Sequence, residues 1–212
     1  MQSHRFHRIF LLAGLVILSC AAAFGQTDVA LSVYGAFSGT TNGNGTVQSP
    51  SNSAGGMVEL RHISNPIVGY EGTYSFNRAN QVYSEGPNGF NTCPVGVTPP
   101  CGPLPAPVSA NAHEISGDWV ASVKLANVRP FALAGVGLLF NVPSSGQTST
   151  STSTKPVFIY GAGLDWGLIP HIGLRLQYRG NLYKAPDLTR LYTSTDAFTH
   201  TAEPMIGAYF RF

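Results

Sequence analysis

Few residues in this chain have the types and spacing for chemistry. His62 and Ser64, in the fragment His62-Ile63-Ser64-Asn65, pair an imidazole base with a hydroxyl, and Glu71 is the nearest acid downstream. Such a trio supports acyl transfer only where a fold holds base and nucleophile within hydrogen-bond reach. Ser64-Asn65-Pro66 also reads as plain turn sequence. Arg175 and Arg179 could bind an anion or pair with acids such as Glu59, Glu71, Asp118 and Asp165. No Gly-rich phosphate loop, metal-ligand cluster or nucleophile elbow occurs, so neither cofactor nor metal is expected. His113, His171 and His200 fall at strand ends or turns, where a solvated imidazole is ordinary.

The elements that must position these groups are constrained by composition. The chain has 212 residues, of which only 10 % are charged, well under half of the ~25 % usual in soluble domains. Its 12 Phe, 9 Tyr and 2 Trp exclude a disordered chain. Its 24 Gly and 15 Pro, spread through the periodic segments, argue against a helical bundle.

Residues 1–25 have a basic start (His4, Arg5, His7, Arg8), an apolar run over 9–17, and small residues before Gln26. This is the layout of a cleaved secretory signal. The apolar core is too short for a membrane anchor, which needs about 20 residues. Cys20 raises lipoprotein processing, but Leu18 fits that cleavage site poorly. Cleavage removes Arg5 and Arg8 from the 12 bases and nothing from the 10 acids, so the mature chain is neutral and lacks a basic field for nucleic acid. Cys93 and Cys101 remain, in a Pro/Gly-rich stretch of an exported chain. A disulfide closing that loop is the default, worth about 2 to 3 kcal/mol. A zinc site would need four ligands, and none are spaced for it.

Eight runs alternate in side-chain character with the period of a strand: 29–38, 55–62, 67–77, 113–125, 129–140, 157–168, 172–183 and 204–212. Three links are tight turns: Ser64-Asn65-Pro66, Ala126-Asn127-Val128 and Ile169-Pro170-His171. The other four, 39–54, 78–112, 141–156 and 184–203, are long. Long and short alternate strictly, so antiparallel neighbours would put every long loop at one end. A soluble sandwich has no reason to sort its loops this way, whereas membrane barrels do.

Side-chain parity agrees. Phe158, Tyr160, Ala162, Leu164 and Trp166 face one way, and Ile159, Gly161, Gly163 and Asp165 the other. Ile172, Leu174, Leu176 and Tyr178 oppose Gly173, Arg175, Gln177, Arg179 and Asn181. Five acids (Glu59, Glu71, Glu114, Asp118, Asp165) and five bases (Arg61, Lys124, Arg175, Arg179, Arg211) fall on the faces opposite the apolar sets. Segment 129–140 is apolar on both faces, which leaves its phase open. Water-facing strand positions normally carry many Lys and Glu. Here the polar face is mostly small residues with matched ions, which suits the narrow, side-chain-filled interior of eight strands. An unpaired charge there would cost several kcal/mol. Aromatics gather at both ends of the strands, Phe37, Phe76, Phe158 and Tyr183 toward the long loops and Phe131, Trp166, Phe210 and Phe212 toward the short turns, as two interfacial girdles would. The competing reading is a soluble barrel or sandwich with scattered core aromatics.

The final segment, Met205-Ile206-Gly207-Ala208-Tyr209-Phe210-Arg211-Phe212, resembles the last strand of bacterial outer-membrane β-barrels. The resemblance implies recognition by the barrel-assembly machinery, with Phe210 and Phe212 as the terminal signal. Arg129-Pro130-Phe131-Ala132-Leu133-Ala134-Gly135-Val136-Gly137 and Tyr160-Gly161-Ala162-Gly163-Leu164-Asp165-Trp166 are similar to recurrent strands of the small OmpA-like outer-membrane barrel family. The expected fold is therefore all-β, an eight-stranded antiparallel transmembrane up-and-down β-barrel over residues 26–212 in the bacterial outer membrane, monomeric and in contact with outer-membrane lipids. The peptidoglycan-binding domain that often follows such a barrel is not expected. His62-Ile63-Ser64-Asn65 in turn resembles the His-x-Ser-Asn signature of outer-membrane lipid A deacylases. However, Glu71 lies closer than that family's spacing, and the turn lies on the periplasmic side, away from an outer-leaflet substrate. The expected role is structural or surface-interacting without catalysis, the long loop 78–112 being the candidate contact for an extracellular ligand. A narrow passive pore for small solutes, a deacylase-like enzyme and a soluble periplasmic β-protein are the alternatives.

Overall fold

The computed structural model describes residues 25–65, 67–85, 107–144, 150–189 and 195–212. Residues 1–24, Pro66, Cys93 and Cys101 lie outside these, so the expected signal segment and the expected Cys93–Cys101 disulfide fall outside the described residues. Among the described residues ten strands form: β1 (Gln26–Ser38), β2 (Thr41–Gly43), β3 (Thr46–Pro50), β4 (Ser53–Ile63), β5 (Val68–Glu85), β6 (Val108–Ser122), β7 (Val128–Pro143), β8 (Ser153–Ile169), β9 (Ile172–Lys184) and β10 (Phe198–Arg211).

Eight of them close a ring in the order β1-β4-β5-β6-β7-β8-β9-β10, every neighbour antiparallel. Closure comes from the first and last strands, whose register runs from Asp28 opposite Arg211 to Ser38 opposite Thr201. A closed ring leaves no row of unpaired backbone groups, the condition for any sheet to sit in hydrocarbon. Every ring strand reaches the 9 to 11 residues that suffice to span a bilayer, and all but β4 exceed them, with the surplus at the long-loop end.

The tight turns are held locally. Asn65 accepts hydrogen bonds at Oδ1 from the backbone amides of Ile67 (3.0 Å) and Val68 (2.8 Å), the usual Asx device. Leu125 and Val128 exchange both backbone hydrogen bonds around Ala126, whose φ of 52° is left-handed.

The long links are more structured than their sequences suggest. Segment 39–54 contains the β2–β3 hairpin, turned at Asn44-Gly45 with φ of 51° and 74°, the pairing that a type I′ hairpin turn prefers. β3 then pairs with the outer part of β5, Thr46 opposite Glu85 through Pro50 opposite Gln81. Residues assigned from sequence to loop 78–112 continue both strands, and β5 and β6 stay in register as far as Gln81 opposite Val108. Residues 185–189 fold over this end: Leu188 is buried with Tyr83, Val108 and Ala110, and Gln48 Nε2 donates to Gln81 Oε1 (2.9 Å) and the Pro186 carbonyl (3.1 Å).

Candidate functional site

The alternation along the strands produces an inversion. Arg61, Arg175, Arg179 and Glu59 are wholly buried inside the ring, while Trp119 is 70 % and Leu31 65 % exposed on its outer wall. The outer wall is a belt of Val, Leu and Ile; the inner wall is where the ionisable groups meet.

Cross-strand register sets up the network before any side chain is considered. Arg211, Asp28, Arg61, Glu71 and Asp118 occupy successive strands in one row, and Arg129, Asp165 and Arg175 another. Toward the short-turn end, Arg175 on β9 donates from Nη1 to Glu59 Oε2 (2.5 Å), from Nη2 to Asp28 Oδ1 (2.8 Å) and from Nε to Asp165 Oδ1 (2.7 Å). Its guanidinium also lies 3.6 Å from Glu71. Arg61 donates from Nε to Glu71 Oε2 (2.6 Å) and from Nη1 to Asp165 Oδ2 (3.2 Å), and its guanidinium stands 3.9 Å over the Phe131 ring. Ser32 donates to Glu59 Oε1 (2.7 Å). The planar, multi-donor guanidinium suits this work, because a single group can satisfy several carboxylates at once.

Nearer the loops Arg179 is alone among acids. It donates from Nη2 to Glu114 Oε1 (2.8 Å) and Ser116 Oγ (2.9 Å) and from Nη1 to Thr73 Oγ1 (3.2 Å), with Asp118 at 3.6 Å. Asn181 supports Glu114 at 3.0 Å. Above lies a cavity of about 30 Å³, bordered by Tyr34, Asn141, Asn181, Tyr183 and Glu203, enough for roughly one or two waters.

The structure departs from the expected ten-residue network in stated ways. Lys124 is exposed, because β6 ends at Ser122 and the parity that placed Lys124 inward ran past the strand into the turn. Arg211 sits half-buried at the short-turn rim, 4.8 Å from the Tyr209 ring. Asp28, Glu203 and Arg129 join the interior; the first two lie beyond the strand bounds that the alternation predicts, the third on the segment of open phase. That phase is now fixed: Arg129, Phe131, Leu133 and Leu139 point inward. Phe131, Leu133 and Leu139 join Ile63, Val120, Val157, Ile159 and Tyr183 in an apolar half of the lumen. Phe131 and Tyr183 therefore leave the girdles to which the sequence assigned them. Phe37, Phe76, Phe158, Trp166, Phe210 and Phe212 are exposed outside. Phe210 meets Phe212 edge-on at 5.1 Å, and the Phe212 amide donates to the Thr27 carbonyl at 2.9 Å, tying the chain end to β1.

His62, Ser64 and Glu71 are not brought together. His62 faces outward, its Nδ1 2.9 Å from Thr27 Oγ1 and its ring 5.2 Å from that of Tyr70. Ser64 is exposed in the turn, and Glu71 is buried on the other side of the wall. Among the described residues no group of three or more His, Cys, Asp or Glu is placed to hold a metal.

Gly135 shows how tightly the inner wall is fitted. A Cβ at this position would strike the Asp118 carboxylate and the Gly117 carbonyl. Gly135→Ala is expected to destabilise the barrel by about 1 to 3 kcal/mol, the usual cost of overpacking, as a lowered urea midpoint in lipid vesicles. An unchanged midpoint would contradict the fit.

Residues 9–210 match the outer membrane protein beta-barrel domain family. The chain belongs to that family. Its place is thus the bacterial outer membrane, with the short turns toward the periplasm and the loop end outside. Solved structures share the barrel fold. The outer membrane protein OprG from Pseudomonas aeruginosa is 9 % identical with a TM-score of 0.56, over 89 % of this chain and 96 % of that one. Neisserial surface protein A is 13 % identical at 0.55, over 88 % and 97 %. Ail of Yersinia pestis, solved with the heparin analogue sucrose octasulfate, is 17 % identical at 0.52, over 90 % and 100 %. No curated protein matches the chain.

Proposed function

We propose that this outer-membrane barrel is non-conducting and non-catalytic, and serves as a structural or surface-interaction protein that holds a packed, weakly charged crown outside the cell. The observation that carries this reading is the Arg175 cross-link, in which one guanidinium on β9 bonds to carboxylates on β1, β4 and β8. It spans the lumen. A solute path would have to part these bonds and leave buried charges unpaired, at several kcal/mol. Residues 185–189, with buried Leu188, close the interior again at the outer end.

The exposed crown is polar but barely charged. The β2–β3 hairpin, Thr-Asn-Gly-Asn-Gly-Thr-Val-Gln-Ser-Pro over 41–50, has no ionisable side chain. By sequence the segments of this end hold four bases, Arg78, Lys155, Lys184 and Arg190, against three acids, Glu85, Asp187 and Asp196. Burial pushes the Asp187 carboxyl up from its usual range, with Lys155 pulling it back. Such a surface favours an uncharged polar partner over the sulfated ligand of Ail, for which no basic field is available.

The test is electrical. Purified full-length protein in planar bilayers is expected to give no discrete current steps, and vesicles containing it should not swell in isosmotic small sugars. Steady steps from the unmodified protein would replace this reading with the narrow pore.

A further inference from the structure

Four histidines face outward at the two rims of the barrel, each against an aromatic ring. At the short-turn rim His62 lies tilted against Tyr70 and His171 stacks on Phe210, with ring centroids 5.2 and 6.0 Å apart. His171 Nδ1 is 2.9 Å from the Arg211 carbonyl. At the loop rim Tyr74 Oη lies 2.8 Å from His113 Nδ1, and Tyr160 Oη 2.9 Å from His200 Nε2. The Tyr160–His200 contact crosses β9 at Gly180, where a Cβ would strike both rings. These pairs sit where amphipathic rings collect at a bilayer surface.

One of the four has a cation beside it. Phe76 is opposite His113 and Arg78 opposite Asn111 across β5 and β6. Arg78 and His113 are therefore diagonal neighbours on the outer wall, roughly 7 to 8 Å apart at Cα, a gap that a phosphate can bridge. Arg78 is exposed, and among the described residues no carboxylate pairs with it. By contrast Lys184, above the Tyr160–His200 pair, is held by Asp196 at 3.2 Å. The height also fits. From Val68 to Arg78 the strand climbs ten residues, roughly 25 Å once tilted, which matches the apolar band of such barrels. Arg78 thus stands at the level of lipid headgroups on the outer side, with exposed Tyr74 and Phe76 below it in the hydrocarbon.

We propose that Arg78 and His113, backed by Tyr74 and Phe76, form a binding site on the outer wall for the phosphate of a phosphorylated outer-leaflet glycolipid. Arg78 holds the phosphate through charge-assisted, bidentate hydrogen bonds. The His113 nitrogen not engaged by Tyr74 adds another, and the two aromatic rings lie along the first segment of acyl chain. The Tyr160–His200 pair, whose nearby cation is already neutralised, lacks this capacity.

The full-length protein is reconstituted in phosphatidylcholine nanodiscs doped with diphosphoryl lipid A, and lipid A carried through purification is counted by mass spectrometry. Arg78→Gln with His113→Phe is expected to retain about tenfold less than the unmodified protein, as is the unmodified protein given lipid A stripped of its phosphates; such a factor is about 1.4 kcal/mol. His200→Phe should retain the normal amount. Both altered residues lie outside the core, and heat-shifted gel mobility reports that each variant is folded; Arg78→Gln alone gives a second, milder version. Nitrogen–phosphorus distance measurements by solid-state NMR should place the lipid phosphate against Arg78. Equal retention by the double variant, equal retention of phosphate-free lipid, or an equal loss in His200→Phe would each overturn the site. Inorganic phosphate competing in detergent without any lipid preference would also overturn it.

Discussion

Arg175→Met is expected to be the most damaging single change inside the barrel, lowering stability by about 3 to 5 kcal/mol, the range for removing one partner of a buried ion pair. The size follows from what remains. Asp28, Glu59 and Asp165 each lose a hydrogen bond of 2.5 to 2.8 Å, and Arg61 in the same layer is already bound to Glu71 and Asp165. Methionine fills much of the volume, so the loss reads charge rather than a cavity. Arg175→Lys should recover little, because an ammonium cannot present donors in three fixed directions. Urea unfolding in vesicles and heat-shifted gel mobility measure the effect. Those molecules that do fold should give bilayer currents absent from the unmodified protein. Near-normal stability of the methionine variant would mean that the carboxylates are held by something other than Arg175, and the plug would lose its physical basis.

How much of this was legible from sequence depended on whether a strand's two faces differ chemically. In β8 and β9 they do: Leu174, Leu176 and Tyr178 against Arg175, Gln177 and Arg179 leave one solution, and the structure adopts it. In β7 they do not. Phe131, Leu133 and Leu139 line an apolar half of the lumen while Ala132, Val136 and Leu138 face lipid, so both sides of that wall ask for similar residues and no period-two contrast survives. Register across neighbouring strands, which a single strand's pattern does not contain, resolves it.

Strand ends were the other blind spot. Asp28 and Glu203 lie inside the barrel because pairing continues beyond the apolar belt on both strands that carry them, whereas Lys124 falls outside because β6 stops two residues earlier. The hairpin in 39–54 did carry a signal, Asn44-Gly45 between Thr-containing flanks, but its partner strand is an extension of β5 that only the folded chain reveals. The ion network was visible as a set of inward charges, and its pairing was not. Which carboxylate meets which guanidinium depends on strand stagger around a closed ring.

A charge placed on the opposite wall tests the inversion itself. Val33 lies on β1 midway between Val29, opposite Phe210, and Phe37 near the loop end, and it is 63 % exposed on the outside. In a water-facing barrel Val33→Arg would be an unremarkable surface change, within about 0.5 kcal/mol. On a lipid-facing wall at mid-depth it should cost about 2 to 4 kcal/mol, and Phe37→Arg, at the rim, only about 0 to 1 for its charge. The gradient between the two positions is the decisive quantity, because both side chains are exposed and neither touches the Arg175 network. Unfolding free energies in vesicles should therefore fall with depth: the Val33 variant well below the Phe37 variant, and the unmodified chain above the former. Equal small costs at both positions would mean that water, not hydrocarbon, meets this face, and the buried arginines would then need a soluble explanation.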